Sequence, residues 1–243
     1  MKSLLKKLAE PLRRFVQYLI IPEYMRFQEM TPPYKTNLVL LYEEKLMESS
    51  VDYAVKNFRK CLYFKYAPEL WTYTINKLKE SSTNNLFLEF GVWRGFSINY
   101  FSSRMPDKTF YGFDSFEGLK EDWAGFSLPK GYFSIGGNLP KVSPNVRLIK
   151  GWFDETLPGF LKENSGPVDF VHIDCDTYES TKFVLNALNE RIKPGTYILF
   201  DEYTGYPNWE MGEYKAFQEF VAQTNRKYKY IAFSYKQVLL LIE

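Results

Sequence analysis

Val168 to Thr181 reads VDFVHIDCDTYEST, and the fold follows from it. The apolar run Val168 to Ile173 is a buried parallel strand in this reading, ending abruptly in Asp174, Cys175 and Asp176 before a helical pattern begins near Tyr178. Carboxylates at the C-terminal end of a buried strand do not serve packing, because an unpaired ionised carboxylate is costly to bury and open α/β sheets bind ligands at that edge. One strand-and-helix unit later the arrangement recurs, with Thr196 to Phe200 (TYILF) ending in Asp201 and Glu202. If the two strands are parallel neighbours, Asp174, Asp176, Asp201 and Glu202 converge on one rim. Four oxygen-bearing side chains there suit a hard divalent cation such as Mg²⁺, with a carboxylate left over for proton transfer.

Strand, glycine turn and helix alternate upstream as well. Leu86 to Phe90 is expected to be a strand, and Gly91 to Gly95 (GVWRG) turns from it into a helix. Glycines there let backbone approach a ligand closely, and the helix N-terminus offers free N–H groups. The turn is not the dinucleotide fingerprint GxGxxG, which disfavours a nicotinamide enzyme. Thr109 to Phe113 is the next strand and closes on Asp114, an acid placed to accept hydrogen bonds from ribose hydroxyls or, alternatively, to cap a helix. Val146 to Ile149 resumes the sheet, with Gly151 and Trp152 at its end, where a backbone and a flat ring border a base or the ring joins the core.

Glu121 to Pro140 has no clear period and is expected to be a long loop over the active edge. Tyr203 to Glu213 (YTGYPNWEMGE) is an aromatic, polar loop suited to stacking on a sugar or aryl ring, and a helix follows from Glu213. Tyr228 to Ser234 and Gln237 to Ile242 are separated by two residues and form an antiparallel hairpin. His172, the only histidine, is read as a satisfied core residue or a ring near a cofactor rather than a ligand or base; a single histidine excludes a multi-histidine zinc centre in one chain.

Met1 to about residue 84 is expected to be an N-terminal helical cap, and residues 85–243 the main domain. Ser3 to Ile21 sets Leu4, Leu5, Leu8, Leu12, Phe15, Val16 and Leu19 at helical spacing with Lys6, Lys7, Arg13 and Arg14 between them. That basic amphipathic helix packs on the main domain or a second subunit, or else lies on a membrane surface; it is too short and charged to span one. A homo-oligomer closed through the cap is expected. With 31 basic and 29 acidic side chains the net charge is +2, so no global field points to nucleic acid. Cys61 and Cys175 stand in unrelated contexts and make no disulfide framework, and without an evident secretory signal a cytoplasmic setting is the default.

EFGVWRG at Glu89 to Gly95, YGFDSFEGL at Tyr111 to Leu119, HIDCDTYEST at His172 to Thr181 and FDEY at Phe200 to Tyr203 together resemble the macrocin O-methyltransferase type of class I S-adenosylmethionine-dependent methyltransferases. The similarity runs from about Leu86 to the C-terminus. It implies a Rossmann-like, mostly parallel seven-stranded sheet with an antiparallel last strand, S-adenosylmethionine as donor, Mg²⁺ as metal and a sugar hydroxyl as acceptor, on a sugar nucleotide or a glycosylated natural product. Asp174, Asp201 and Glu202 would then hold Mg²⁺, with Asp174 beside the reacting groups and Asp176 as general base or, alternatively, a residue that supports the ligands or caps the next helix. Glu89, Gly91, Val92, Trp93, Gly95 and Ser97 would hold the methionine end of the donor. Asp114, Ser115 and Phe116 would take the ribose, and Gly151, Trp152 and Asp174 complete the donor site. The T-M-V-G segment associated with antibiotic-sugar members has no clear counterpart around Thr31 to Leu41, which leaves the acceptor open. A catechol-type acceptor, with Trp123, Phe126, Tyr206 and Trp209 lining an aromatic pocket, is the enzymatic alternative; a non-catalytic protein that keeps the fold is the other.

Overall fold

A computed structural model describes residues 37–80, 85–123 and 126–243. The basic helix expected at Ser3 to Ile21 lies outside the described residues. The chain forms two compact units, residues 1–45 and residues 46–243. In the first, the described residues start helix α1 (Leu38–Asn57), whose first turn is capped by Asn37 Oδ1 accepting the Val39 N–H at 3.1 Å.

The larger unit is built on one eight-stranded sheet. Its strands are β1 (Leu62–Phe64), β2 (Leu86–Phe90), β3 (Phe110–Asp114), β4 (Val146–Lys150), β5 (Val168–Ile173), β6 (Ile192–Phe200), β7 (Tyr228–Ser234) and β8 (Gln237–Ile242). They lie in the order β1-β7-β8-β6-β5-β2-β3-β4, and β8 alone runs antiparallel to its neighbours. The seven strands expected from sequence are joined by β1, which pairs in parallel with β7 at the sheet edge. Leu62–Phe64 sits in a stretch read from sequence as helical, but α1 stops at Asn57 and the three following apolar residues find a free strand edge.

The middle of the sheet is buried on both faces, so its strands read as unbroken apolar runs rather than alternating ones. Leu88, Phe90, Val171, Ile173, Ile198 and Phe200 pack on one face against α4 (Phe153–Glu163), α5 (Tyr178–Ala187) and α6 (Glu213–Thr224). Phe87, Phe170 and Leu199 pack on the other against α2 (Ala67–Glu80) and α3 (Phe96–Arg104). Each such fully buried ring or aliphatic chain is worth about 1.5–3 kcal/mol relative to leaving it exposed. The period of two puts Glu89 and His172 on the second face, where an apolar residue would otherwise stand.

β3 and β4 extend from β2 in one direction, while β5 and β6 extend from it in the other. The strand order therefore reverses between β2 and β5, the point where doubly wound sheets open a crevice at their carboxyl ends. Gly91 and Asp174 follow those two strands directly.

Candidate active site

A cavity of about 800 Å³ opens at this reversal point. Its wall includes Gly91, Val92, Trp93, Ser97, Asp114, Ser115, Trp152, Asp174, Asp176, Asp201 and Glu202, so the strand ends named from sequence do converge. Glu89, Gly95, Phe116 and Gly151 are adjacent in sequence but do not line it.

The glycine turn is shaped by a close approach of backbones. Gly91 has φ +94°, and a Cβ there would stand 1.8 Å from the carbonyl oxygen of Asp174, so no side chain fits. Asp114 fixes the rest of the turn: its Oδ2 accepts the N–H groups of Val92 at 2.8 Å and Trp93 at 2.7 Å, and its Oδ1 accepts that of Phe116 at 2.6 Å. Trp93 (φ 47°), Phe116 (φ 60°) and Asp176 (φ 60°) are non-glycine residues in the left-handed region, a strain of roughly 1–3 kcal/mol each that clusters where function is housed.

Glu89 turns away from the cavity. Its Oε1 accepts from the Ser97 hydroxyl at 2.9 Å, and its Oε2 pairs with His172 Nδ1 at 3.0 Å. His172 Nε2 faces Asp201 Oδ1 at 3.5 Å, an ion-pair distance rather than a close hydrogen bond. Burial alone would lower the imidazole pKa, but hydrogen bonding and charge from Asp201 and Glu89 outweigh it and push it up to about 10. Burial would raise the Asp201 carboxyl, but His172, with help from Gln237 and Lys236, outweighs it and holds that carboxyl below its usual range. His172 lies buried between two carboxylates that favour its protonated form, and an imidazole protonated on both nitrogens would have no lone pair for a metal.

Four further carboxyls are packed together at this rim. Asp174, Asp176, Glu202 and Glu213 are all pushed well above the usual carboxylate range, first by burial and then by one another's charge and that of Asp201. Glu202 Oε1 accepts from Lys236 Nζ at 2.8 Å, but its Oε2 is buried without a partner. Among the described residues two sets of side chains bring ligand atoms within 4.8 Å of one another: His172, Asp174 and Asp201, and Asp174, Asp176 and Glu202. Asp174 belongs to both. The oxygen-rich set, Asp174, Asp176 and Glu202, with the orphaned Glu202 Oε2, fits a hard divalent cation, whose charge would offset the repulsion. Asp201 stands in the other set with His172, so neither set holds the three ligands expected from sequence, Asp174, Asp201 and Glu202, together.

Glu213 carries no signal that sequence reading used, because it sits at the start of an ordinary amphipathic helix. It is fully buried and accepts the N–H groups of Cys175 and Glu202, each at 3.1 Å.

The aromatic loops are placed otherwise than expected. Trp123 and Tyr206 form a closed cluster with Leu119 and Trp209, Phe126 stacks on Trp123 at 4.9 Å, and none of the four rings lines the cavity. The Tyr203 to Glu213 loop buries its rings because α1 offers it partners: the Trp209 indole N–H donates to Ser49 Oγ at 2.9 Å, and the Gly205 N–H to Ser50 Oγ at 3.0 Å. The cavity's aromatic surface comes instead from Trp71, Trp93, Phe96, Phe133, Trp152, Phe153, Phe183 and Tyr235. A catechol pocket made of the four expected rings is therefore absent. The 115–145 connection is a real wall, tied by Leu119 N–H to Tyr132 carbonyl at 2.9 Å and by Ile135 and Gly137 N–H to the Phe116 carbonyl.

Residues 88–203 match the family described as a methyltransferase domain. The chain is 30% identical over 138 residues to the 8-demethyl-8-(2,3-dimethoxy-alpha-L-rhamnosyl)-tetracenomycin-C 4'-O-methyltransferase of Streptomyces olivaceus, covering 48% of this chain and 52% of that protein. It is 28% identical over 156 residues to the demethyldecarbamoylnovobiocin O-methyltransferase of Streptomyces niveus, covering 53% of this chain and 57% of that protein. It spans about half the length of these curated relatives. A calicheamicin methyltransferase structure superposes with a TM-score of 0.60 at 22% identity, covering 87% of this chain and 93% of that one. The fold is thus that of the class I methyltransferases, and the relatives support the resemblance to the macrocin type.

Proposed function

We propose that this chain, whose residues 88–203 match a methyltransferase domain, is a Mg²⁺-dependent O-methyltransferase that uses S-adenosylmethionine to methylate a sugar hydroxyl on a small-molecule acceptor. One observation carries the reading: the carboxyl groups after β5 and β6 meet in the same cavity as the glycine turn after β2. That puts an oxygen-rich cation site beside a donor crevice. The acceptor class is supported by the Streptomyces olivaceus relative, named as a rhamnosyl-tetracenomycin-C 4'-O-methyltransferase.

S-adenosylmethionine, when bound, supplies a methyl group already activated on a sulfonium, so the protein has to align an oxygen behind that carbon and remove its proton. Gly91, Val92 and Trp93 would border the donor, with Asp114 holding that turn in shape and Trp152 forming the opposite wall. The acidic cavity wall favours the donor's cationic sulfonium and ammonium. Asp174, Asp201 and Glu202 would hold Mg²⁺, which, when bound, supplies the positive charge that makes a hydroxyl beside it more acidic. Asp176, whose carboxylate lies within 4.8 Å of those of Asp174 and Glu202, takes the acceptor proton as its oxygen receives the methyl group. Lys236 holds Glu202, and His172 holds Asp201, in place at the rim.

Calorimetric titration tests this directly. S-adenosylhomocysteine is expected to bind metal-free protein, and a diol-bearing glycoside to bind only after Mg²⁺ is added. Asp201→Ala is expected to remove the EDTA-sensitive part of turnover while donor-product binding stays. Turnover that remains EDTA-sensitive in this variant would sink the metal assignment, and failure of S-adenosylhomocysteine to bind under any condition would sink the activity.

A further inference from the structure

β5 and β6 are adjacent strands whose last ladder bond runs from the Asp201 N–H to the Ile173 carbonyl at 2.9 Å. Beyond it the two strand ends part: the Asp174 N–H still bonds the Phe90 carbonyl of β2 at 2.9 Å, but no backbone bond joins Cys175 and Asp176 to Glu202. Ends parted in this way need another source of rigidity, since a ligand misplaced by an ångström binds poorly. Glu213, the first residue of α6, supplies it. Its Oε1 accepts the N–H of Cys175, the residue between Asp174 and Asp176, and its Oε2 accepts the N–H of Glu202, directly after Asp201. One carboxylate thereby replaces the rung the ladder would have had next. The group itself is fully buried and is not in the cavity wall, so it touches neither donor nor acceptor.

We propose that Glu213 is a positioning residue that clamps the ends of β5 and β6 together and so sets the spacing of the metal carboxylates Asp174, Asp201 and Glu202. This rests on the Mg²⁺ reading given above. Both carboxyl oxygens of Glu213 accept a backbone N–H, whereas an amide accepts through one oxygen and turns its NH₂ toward the other backbone donor. Partners that orient ligands in this way typically cost 10–100-fold in metal affinity or activity when removed.

In Glu213→Gln, calorimetry is expected to show Mg²⁺ binding weakened at least tenfold with S-adenosylhomocysteine affinity within twofold of wild type. Amide exchange followed by NMR is expected to speed up at Cys175 and Glu202 but not at Asp201, whose N–H bonds Ile173. Unchanged Mg²⁺ affinity in a folded Glu213→Gln protein overturns the proposal, as does equal loss of both ligands. If that variant does not fold, Glu213→Asp, one methylene too short to reach both amides, is read in the same way. Wild-type protein gives an independent check: Cys175 and Glu202 amides that exchange as fast as unprotected ones overturn the clamp. If wild type binds no Mg²⁺ at all, the metal reading fails instead, and the amide exchange alone judges the clamp.

Discussion

Asp176, proposed above as the proton acceptor, joins an uncommon backbone conformation to a carboxyl in the cavity wall. It adopts φ 60° without being glycine, and burial, then the charge of neighbouring carboxyls, raises its pKa. Asn is common in the left-handed region, so Asp176→Asn keeps the backbone while removing the proton acceptor. This variant is expected to lose about 10²–10⁴ in kcat, the usual worth of general acid–base catalysis, with S-adenosylhomocysteine affinity unchanged. A kcat within threefold of wild type would reassign Asp176 to capping or ligand support. Gly91 makes the opposite kind of prediction. A methyl group at a φ of +94° and 1.8 Å from a carbonyl oxygen forces the β2 turn away from the β5 end. Gly91→Ala is expected to destabilise the protein by about 2 kcal/mol or more in denaturant unfolding and to abolish donor-product binding. Retained binding with unchanged stability would mean that the two strand ends do not approach as closely as described.

Strands β2, β3, β5 and β6 were legible as elements because they are buried on both faces and punctuated by glycine turns and acids. The start of α5 carries a further mark that the sequence reading did not use: the Thr177 side chain accepts the Ser180 N–H, ending the carboxylate stretch. β1 was not legible, since three exposed or half-buried residues carry no period and depend on β7 for their hydrogen bonds. The loop after β6 was misread for a related reason. Tyr206 and Trp209 look like a sugar platform in sequence, and only the tertiary structure supplies the α1 hydroxyl that satisfies the indole. Likewise Glu89 was read as a contact to the methionine end of the donor and not as the partner of His172, because that pairing joins residues 83 positions apart. The placement of Trp209 is testable by Trp209→Phe, which keeps a ring but deletes the bond to Ser49. The expected outcome is a loss of about 1 kcal/mol in stability with acceptor KM unchanged. A raised KM at unaltered stability would return Trp209 to the acceptor site.

Across the larger unit, the elements behind the active edge are joined by a hydrogen-bonded group of tyrosines. Tyr53 from α1 and Tyr203 from the loop after β6 both bond the Tyr230 hydroxyl, at 2.6 and 2.7 Å, and Gln218 of α6 donates to the hydroxyls of Tyr203 and Tyr228. The group ties α1 to three elements near the C-terminus across the 177 positions between Tyr53 and Tyr230, so it exists only in the folded chain. Burial is the main reason that Tyr53, Tyr203 and Tyr230 are all held above the ordinary phenol range. A raised folded-state pKa means that the native protein keeps protons which the unfolded chain releases above about pH 10. Stability contributed in this way is intact below pH 10 and falls as the pH rises beyond it, by roughly 1.4 kcal/mol per pH unit for each proton retained. Urea unfolding between pH 9 and 11.5 is expected to show that decline, with the ultraviolet signal of phenolate appearing for the buried tyrosines only as the protein unfolds. Tyr203→Phe, at a fully buried site, removes one titrating group and is expected to shallow the slope by about one proton's worth. A slope unchanged by this substitution would show that Tyr203 ionises freely in the native protein, and that the tyrosine group is not the dry junction that holds α1 and α6 behind the site.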